Sequence, residues 1–99
     1  MSTSKLSRMV AIRNPQGLHA RPAEMFARLA TQFDATIEVI KEGQRVDAKS
    51  ILDILTLGAE QGQELLLKAI GPEAQNALDA LAELTENEFA LDTNENQSS

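Results

Sequence analysis

Two of the three prolines in this chain, Pro22 and Pro72, each stand at the head of a segment whose apolar residues recur with helical spacing. Proline is tolerated in a helix only in the first turn, where its missing N–H had no partner anyway, so these two positions dictate where helices begin. After Pro22, residues Phe26, Leu29, Ala30 and Phe33 follow at i, i+3, i+4 and i+7 and make one apolar stripe. The spacing predicts a helix from about Ala20. After Pro72, the stripe is Ala74, Ala77, Leu78, Leu81 and Leu84, and it predicts a second long helix opening at Pro72 itself. The rest of the chain has a different period. Leu6–Arg13 carries Val10 and Ile12 two apart with Met9 on the other face, and Thr36–Ile40 is rich in β-branched residues. Glu64–Ile70 has an apolar middle of three leucines. These read as strands.

Turn chemistry separates the pieces. Asn14-Pro15-Gln16-Gly17 ends the first strand. Lys41-Glu42-Gly43-Gln44 is a tight hairpin connection to a short return strand, Arg45-Val46-Asp47. Ser50 opens a short helix through about Leu55, and Gly58 to Gly62 is a further turn. The order is strand, helix, strand, strand, short helix, strand, helix, which points to an α+β sandwich with the helices over one face of a mostly antiparallel sheet.

Composition bounds the class. At 99 residues and 42% apolar, the chain suits one small domain with a real core, taken as residues 1–92, with a polar, frayed tail over 93–99. No cysteine means no disulfide and no thiolate chemistry. The net charge of −6 argues against a nucleic-acid binder, and three phenylalanines offer no stacking platform for bases. The opening residues lack the apolar run of a signal peptide, and no stretch approaches the ~18 apolar residues of a membrane span. A cytoplasmic location and a monomeric state are the expectations.

The informative stretch is Gly17-Leu18-His19-Ala20-Arg21-Pro22. It places the only histidine just before a helix whose start Pro22 fixes. A helix N-terminus presents amides outside the helical ladder and the positive end of the macrodipole. A second positive charge is disfavoured there, so the imidazole keeps a lone pair for attack on phosphorus. A phosphoryl group on the ring would sit over the amides of Ala20 and Arg21, which form a ready anion site. The Arg21 guanidinium can reach the same anion with bidentate, charge-assisted bonds. Gly17 lets the backbone turn tightly and leaves the ring accessible. A lone His-x-Arg would more simply be a capping histidine at a turn, but this hexapeptide fused to an apolar helix stripe is far more specific.

Gly17-Leu18-His19-Ala20-Arg21-Pro22-Ala23 resembles the active-site signature of the histidine-containing phosphocarrier family, HPr, of the bacterial phosphoenolpyruvate-dependent sugar phosphotransferase system. Ala48-Lys49-Ser50-Ile51-Leu52, followed by Leu55-Thr56-Leu57-Gly58, resembles the second signature of that family. The similarity runs from about Met9 to Leu84. It implies an open-faced sandwich, a four-stranded antiparallel sheet with three helices on one side. It implies that His19 accepts a phosphoryl group on Nδ1 from enzyme I, itself phosphorylated by phosphoenolpyruvate, and passes it to enzyme IIA domains, with Arg21 steadying the phosphate. The protein is then a relay with no cofactor or metal of its own, rather than a free-standing enzyme.

Ser50 with Asp53 three residues on looks like a capping box, contributing ~0.5–2 kcal/mol. In many relatives the matching serine is phosphorylated by a dedicated HPr kinase/phosphorylase, so Ser50 is also a candidate regulatory site. Asp53 departs from the glycine or lysine common there and sets a negative charge beside the incoming phosphate. Leu18, Met25, Ile51, Leu52 and Leu55 are candidates for an exposed apolar patch beside His19, rimmed by Arg21, Arg28 and Lys49, since docking needs a desolvated centre and a polar rim. Leu18 and Leu55 can instead be simply core; for Leu55 the two readings weigh equally, while Ile51 and Leu52 favour the surface. Glu24 is an acidic departure on this face, and Gln16 stands where some relatives have asparagine.

Beside a carrier for sugar uptake, the alternative is a regulatory carrier, nitrogen-type or serine-phosphorylated, with no direct part in uptake. A pure docking module would lack the active histidine. A metal or hydrolase site has no support from one histidine, no cysteine and no Ser/His/Asp spacing.

Overall fold

The computed structural model describes residues 5–90. Both ends of the expected domain, 1–4 and 91–92, and the expected tail, 93–99, lie outside the described residues. The elements are β1 (Lys5–Ala11), α1 (Ala20–Ala30), β2 (Thr36–Lys41), β3 (Gln44–Asp47), α2 (Ile51–Thr56), β4 (Glu64–Ile70) and α3 (Ala74–Glu86). The strands form one antiparallel sheet in the order β1-β4-β2-β3. With the three helices this is the open-faced sandwich expected from the sequence.

Register follows from alternation. In β4, Leu65, Leu67 and Ala69 point into the core while Leu66, Lys68 and Ile70 point away from it. Val10 lies opposite Leu65, and Leu67 lies opposite Val39, so the inward rows continue across strands. A slip of one residue would turn each of these rows to solvent. Met9 stands on the uncovered face, 53% exposed.

The helices close the other face. Phe26 and Ala30 of α1 and Ala77, Leu78 and Leu81 of α3 are buried, and Leu29 and Phe33 pack partly buried against them. α3 lies on β1 and β4, while α1 packs against α2 and α3. Among the described residues Thr85 is the one buried polar residue within a helix, and its hydroxyl donates to the Leu81 carbonyl at 2.8 Å.

α3 departs from the expected start. It begins at Ala74, not Pro72, and Glu73 is its N-cap. The Glu73 N–H donates to the Asp34 carbonyl at 3.1 Å, and the Glu73 carboxylate accepts the Asp34 N–H at 2.6 Å. This reciprocal tie across 39 residues holds Glu73 out of helical geometry, and Pro72 falls in the preceding turn.

Candidate functional site

The loop between β1 and α1 presents His19. Its backbone is fixed at several points: the Leu18 N–H donates to the Ala59 carbonyl at 2.9 Å, the Gly17 N–H to the Asn14 carbonyl at 3.1 Å, and Asn14 Nδ2 to the Gly17 carbonyl at 2.7 Å. Gly17 has φ +71°, and a side chain there would collide with the Ala59 carbonyl and come within 2.9 Å of Glu60 Cα. Leu18 drives into the core at 4% exposure. With Leu18 pointing in, the next residue points out. His19 is the N-cap of α1 (φ −89°, ψ −165°), it is exposed, and its side chain makes no capping hydrogen bond.

The first amide drawn into the ladder of α1 is that of Ala23, which donates to the His19 carbonyl at 2.9 Å. The amides of Ala20 and Arg21 lie upstream of it, and Pro22 contributes none. They sit at the positive end of an 11-residue helix, directly after the imidazole. His19, Arg21 and Met25 share an open cleft of about 390 Å³ with Asn14, Pro15, Gln16 and Pro22, lined also by Glu88 and Phe89. Sequence reasoning missed the last two. After α3 the chain takes two left-handed residues, Glu88 (φ 58°) and Phe89 (φ 60°), and the Phe89 N–H donates to the Leu84 carbonyl at 2.9 Å. That turn buries Phe89 beside the histidine loop. A single aromatic just past the second apolar stripe was the only signal in the sequence.

The expected apolar patch divides. Leu18 is corrected: it belongs to the core, because its anchoring is what turns His19 outward. Met25 and Leu55 are half-buried and pack against the core. Ile51 and Leu52 are exposed, at 40% and 75%. They project from α2, which packs on α1 but lies outside the cleft lining. Part of the expected basic rim is already engaged. Arg28 pairs with Glu24 at 2.8 Å, and Lys49 Nζ donates to the Phe33 carbonyl at 3.1 Å.

Ser50 is the N-cap of α2, its Oγ accepting the Asp53 N–H at 3.2 Å. The reciprocal half of the capping box is absent. The Ser50 N–H donates to the Asp47 carbonyl at 3.1 Å, and the Asp53 carboxylate accepts the Asp47 N–H at 3.3 Å. The sharp entry from β3 brings the Asp47 backbone to Ser50 and to Asp53, so each finds its partner there.

Chemically, the arrangement offers an uncovered nitrogen nucleophile with anion-binding groups beside it. Among the described residues no group of three or more His, Cys, Asp or Glu side chains is placed to hold a metal ion, and no helix is long and apolar enough to cross a membrane.

Comparison with known proteins gives a consistent answer. A family model described as the PTS HPr component phosphorylation site matches residues 6–87. The chain is 40% identical over 86 residues to the phosphocarrier protein NPr of Shewanella violacea, covering 87% of this chain and 94% of that one. It is 39% identical over 88 residues to the phosphoryl donor subunit DhaM of the PEP-dependent dihydroxyacetone kinase of Providencia stuartii, covering 89% of this chain but only 18% of that longer protein. Among solved structures, HPr from Thermoanaerobacter tengcongensis superposes with a TM-score of 0.83 at 40% identity, covering 86% of this chain and 96% of that one.

Proposed function

The chain belongs to the HPr family of phosphotransferase-system phosphocarriers, and from that premise we propose that His19 accepts a phosphoryl group from phospho-enzyme I and hands it to an enzyme IIA of a sugar phosphotransferase system. The observation that carries this reading is the exposed His19 ring, uncommitted to capping, at the N-terminus of α1. The Nδ1 lone pair of the neutral ring attacks phosphorus. The bond from phosphorus to the donor breaks, the donor recovers that electron pair, and the proton on Nε2 stays in place. Transfer to enzyme IIA runs the same exchange outward. The amides of Ala20 and Arg21 and the Arg21 guanidinium are the groups that meet the phosphoryl oxygens. Each charge contact at an exposed helix end is worth ~0.3–1 kcal/mol, enough to orient the group and too little to trap it.

The test is direct. Incubation with enzyme I, labelled phosphoenolpyruvate and Mg²⁺ is expected to put one acid-labile, base-stable phosphate on the protein. His19→Ala is expected to abolish it, and label persisting in that variant would overturn the assignment. The same labelled protein, offered a sugar-specific and a nitrogen-type enzyme IIA, is expected to discharge to the former.

Ser50 is proposed as a second, regulatory phosphorylation site for a cognate HPr kinase/phosphorylase. Ser50 is partly exposed at the head of α2, and Asp53 sets a negative charge three residues away. A single phosphate lost in Ser50→Ala is the expected result.

A further inference from the structure

Asn14 carries one hydrogen bond that the fold explains and one that it leaves open. The residue is 7% exposed, and its Nδ2 donates to the Gly17 carbonyl at 2.7 Å. That bond fixes the amide orientation, so the remaining atom is Oδ1. Among the described residues Asn14 Oδ1 is the one buried side-chain polar atom without a partner. An amide oxygen held away from water with no donor loses its hydration without compensation, and such an atom needs an explanation.

The donors around it narrow the choice. Asn14 lines the same cleft as Gln16, His19 and Arg21. Gln16 is exposed and meets solvent, and Arg21 has an interaction of its own. The imidazole is different. It makes no capping bond, and its chemistry requires that one nitrogen keep its hydrogen while the other offers a lone pair. An acceptor on one side of the ring settles which nitrogen is which, as the partner of a second ring nitrogen does in other histidine sites.

We infer that Asn14 is a positioning residue for His19, its Oδ1 accepting the Nε2–H of the imidazole and so holding the ring with Nδ1 bare and turned to the α1 amides. The inference rests on the phosphocarrier reading of His19. It adds that the loop itself selects the nucleophilic nitrogen. The same contact serves the ring once a phosphoryl group sits on Nδ1, because Nε2 then still carries its hydrogen. The bond from Nδ2 to Gly17 has the separate task of bracing the turn, so one amide ties the loop and aims the ring.

The two tasks separate by substitution. Asn14→Ala removes both. Asn14→Asp removes the donor to Gly17 but keeps an acceptor towards the ring. In the ¹⁵N-labelled full chain in mildly alkaline buffer, a protected ring Nε2–H resonance is expected for wild type and for Asn14→Asp. It is expected to be lost to water exchange in Asn14→Ala. Enzyme I-dependent phosphorylation is expected to fall about tenfold in kcat/KM for Asn14→Ala and to be substantially restored in Asn14→Asp. A purely structural role predicts that the two variants lose stability alike, with neither the ring signal nor the rescue. A ring proton that exchanges freely in wild type, or that stays protected in Asn14→Ala, overturns the inference. The spectroscopic arm needs no phosphate, so it stands apart from failure of His19 to accept one.

Discussion

Gly17 is the residue on which the aim of His19 depends. Its φ of +71° lies where non-glycine residues are strained, and its missing side chain leaves room for the Ala59 and Glu60 backbone. Gly17→Ala therefore combines a conformational cost with a clash against main chain that cannot give way. A loss of about 3 kcal/mol in denaturant unfolding is expected. Phosphorylation of the folded fraction is expected to drop as well, because the loop must move to admit the methyl group. Leu18 is linked to the same outcome from the other side, since its burial fixes the direction of the next side chain.

At the scale of elements, α1 and α2 divide the work. α1 carries His19 as its N-cap, with the amides of Ala20 and Arg21 at its N-terminus. The six-residue α2 is too short to be stable alone, and its cap matters accordingly. Ser50→Ala removes the acceptor for the Asp53 N–H, and about 1 kcal/mol of stability is expected to go with it, measurable by thermal or urea unfolding. Leu52, three-quarters exposed on the same helix, behaves differently. Leu52→Ala is expected to change stability by less than about 0.5 kcal/mol. If α2 is a docking element, the KM for enzyme I rises several-fold in that variant while kcat holds. An unchanged KM would remove Leu52 from the interface.

At the scale of the molecule, the sheet is a platform. Its inward rows bury Val10, Ile37, Val39, Leu65 and Leu67 under three helices, and each fully buried aliphatic side chain contributes about 1.5–3 kcal/mol. Leu67 sits on β4, paired to β1 on one side and β2 on the other, and is fully buried. Leu67→Ala is expected to cost about 2–5 kcal/mol, read from the denaturation midpoint. The site lies at the end of a helix resting on this platform, so partial unfolding of the core should reduce phosphorylation only in proportion to the folded population.

Much of this was legible in the chain itself, because it was local. Pro22 sets the start of α1 within two residues, and the turn cluster before it ends β1, so His19 had to fall at a helix head whatever the rest did. Alternation and 3.6-residue spacing assigned the elements for the same reason: each pattern is a contact between a residue and its near neighbours. Tertiary structure decided what depends on distant chain. Leu18 is core in the folded loop, where its N–H is held by the Ala59 carbonyl from a distant part of the chain. α3 starts late because Asp34 holds Glu73, and the Asp53 carboxylate turns to the Asp47 N–H rather than to the Ser50 N–H. Phe89 reaches the cleft only through a left-handed turn after α3. The unmatched oxygen of Asn14 exists only because the folded loop buries it, and burial of a polar atom is a property of everything packed around it.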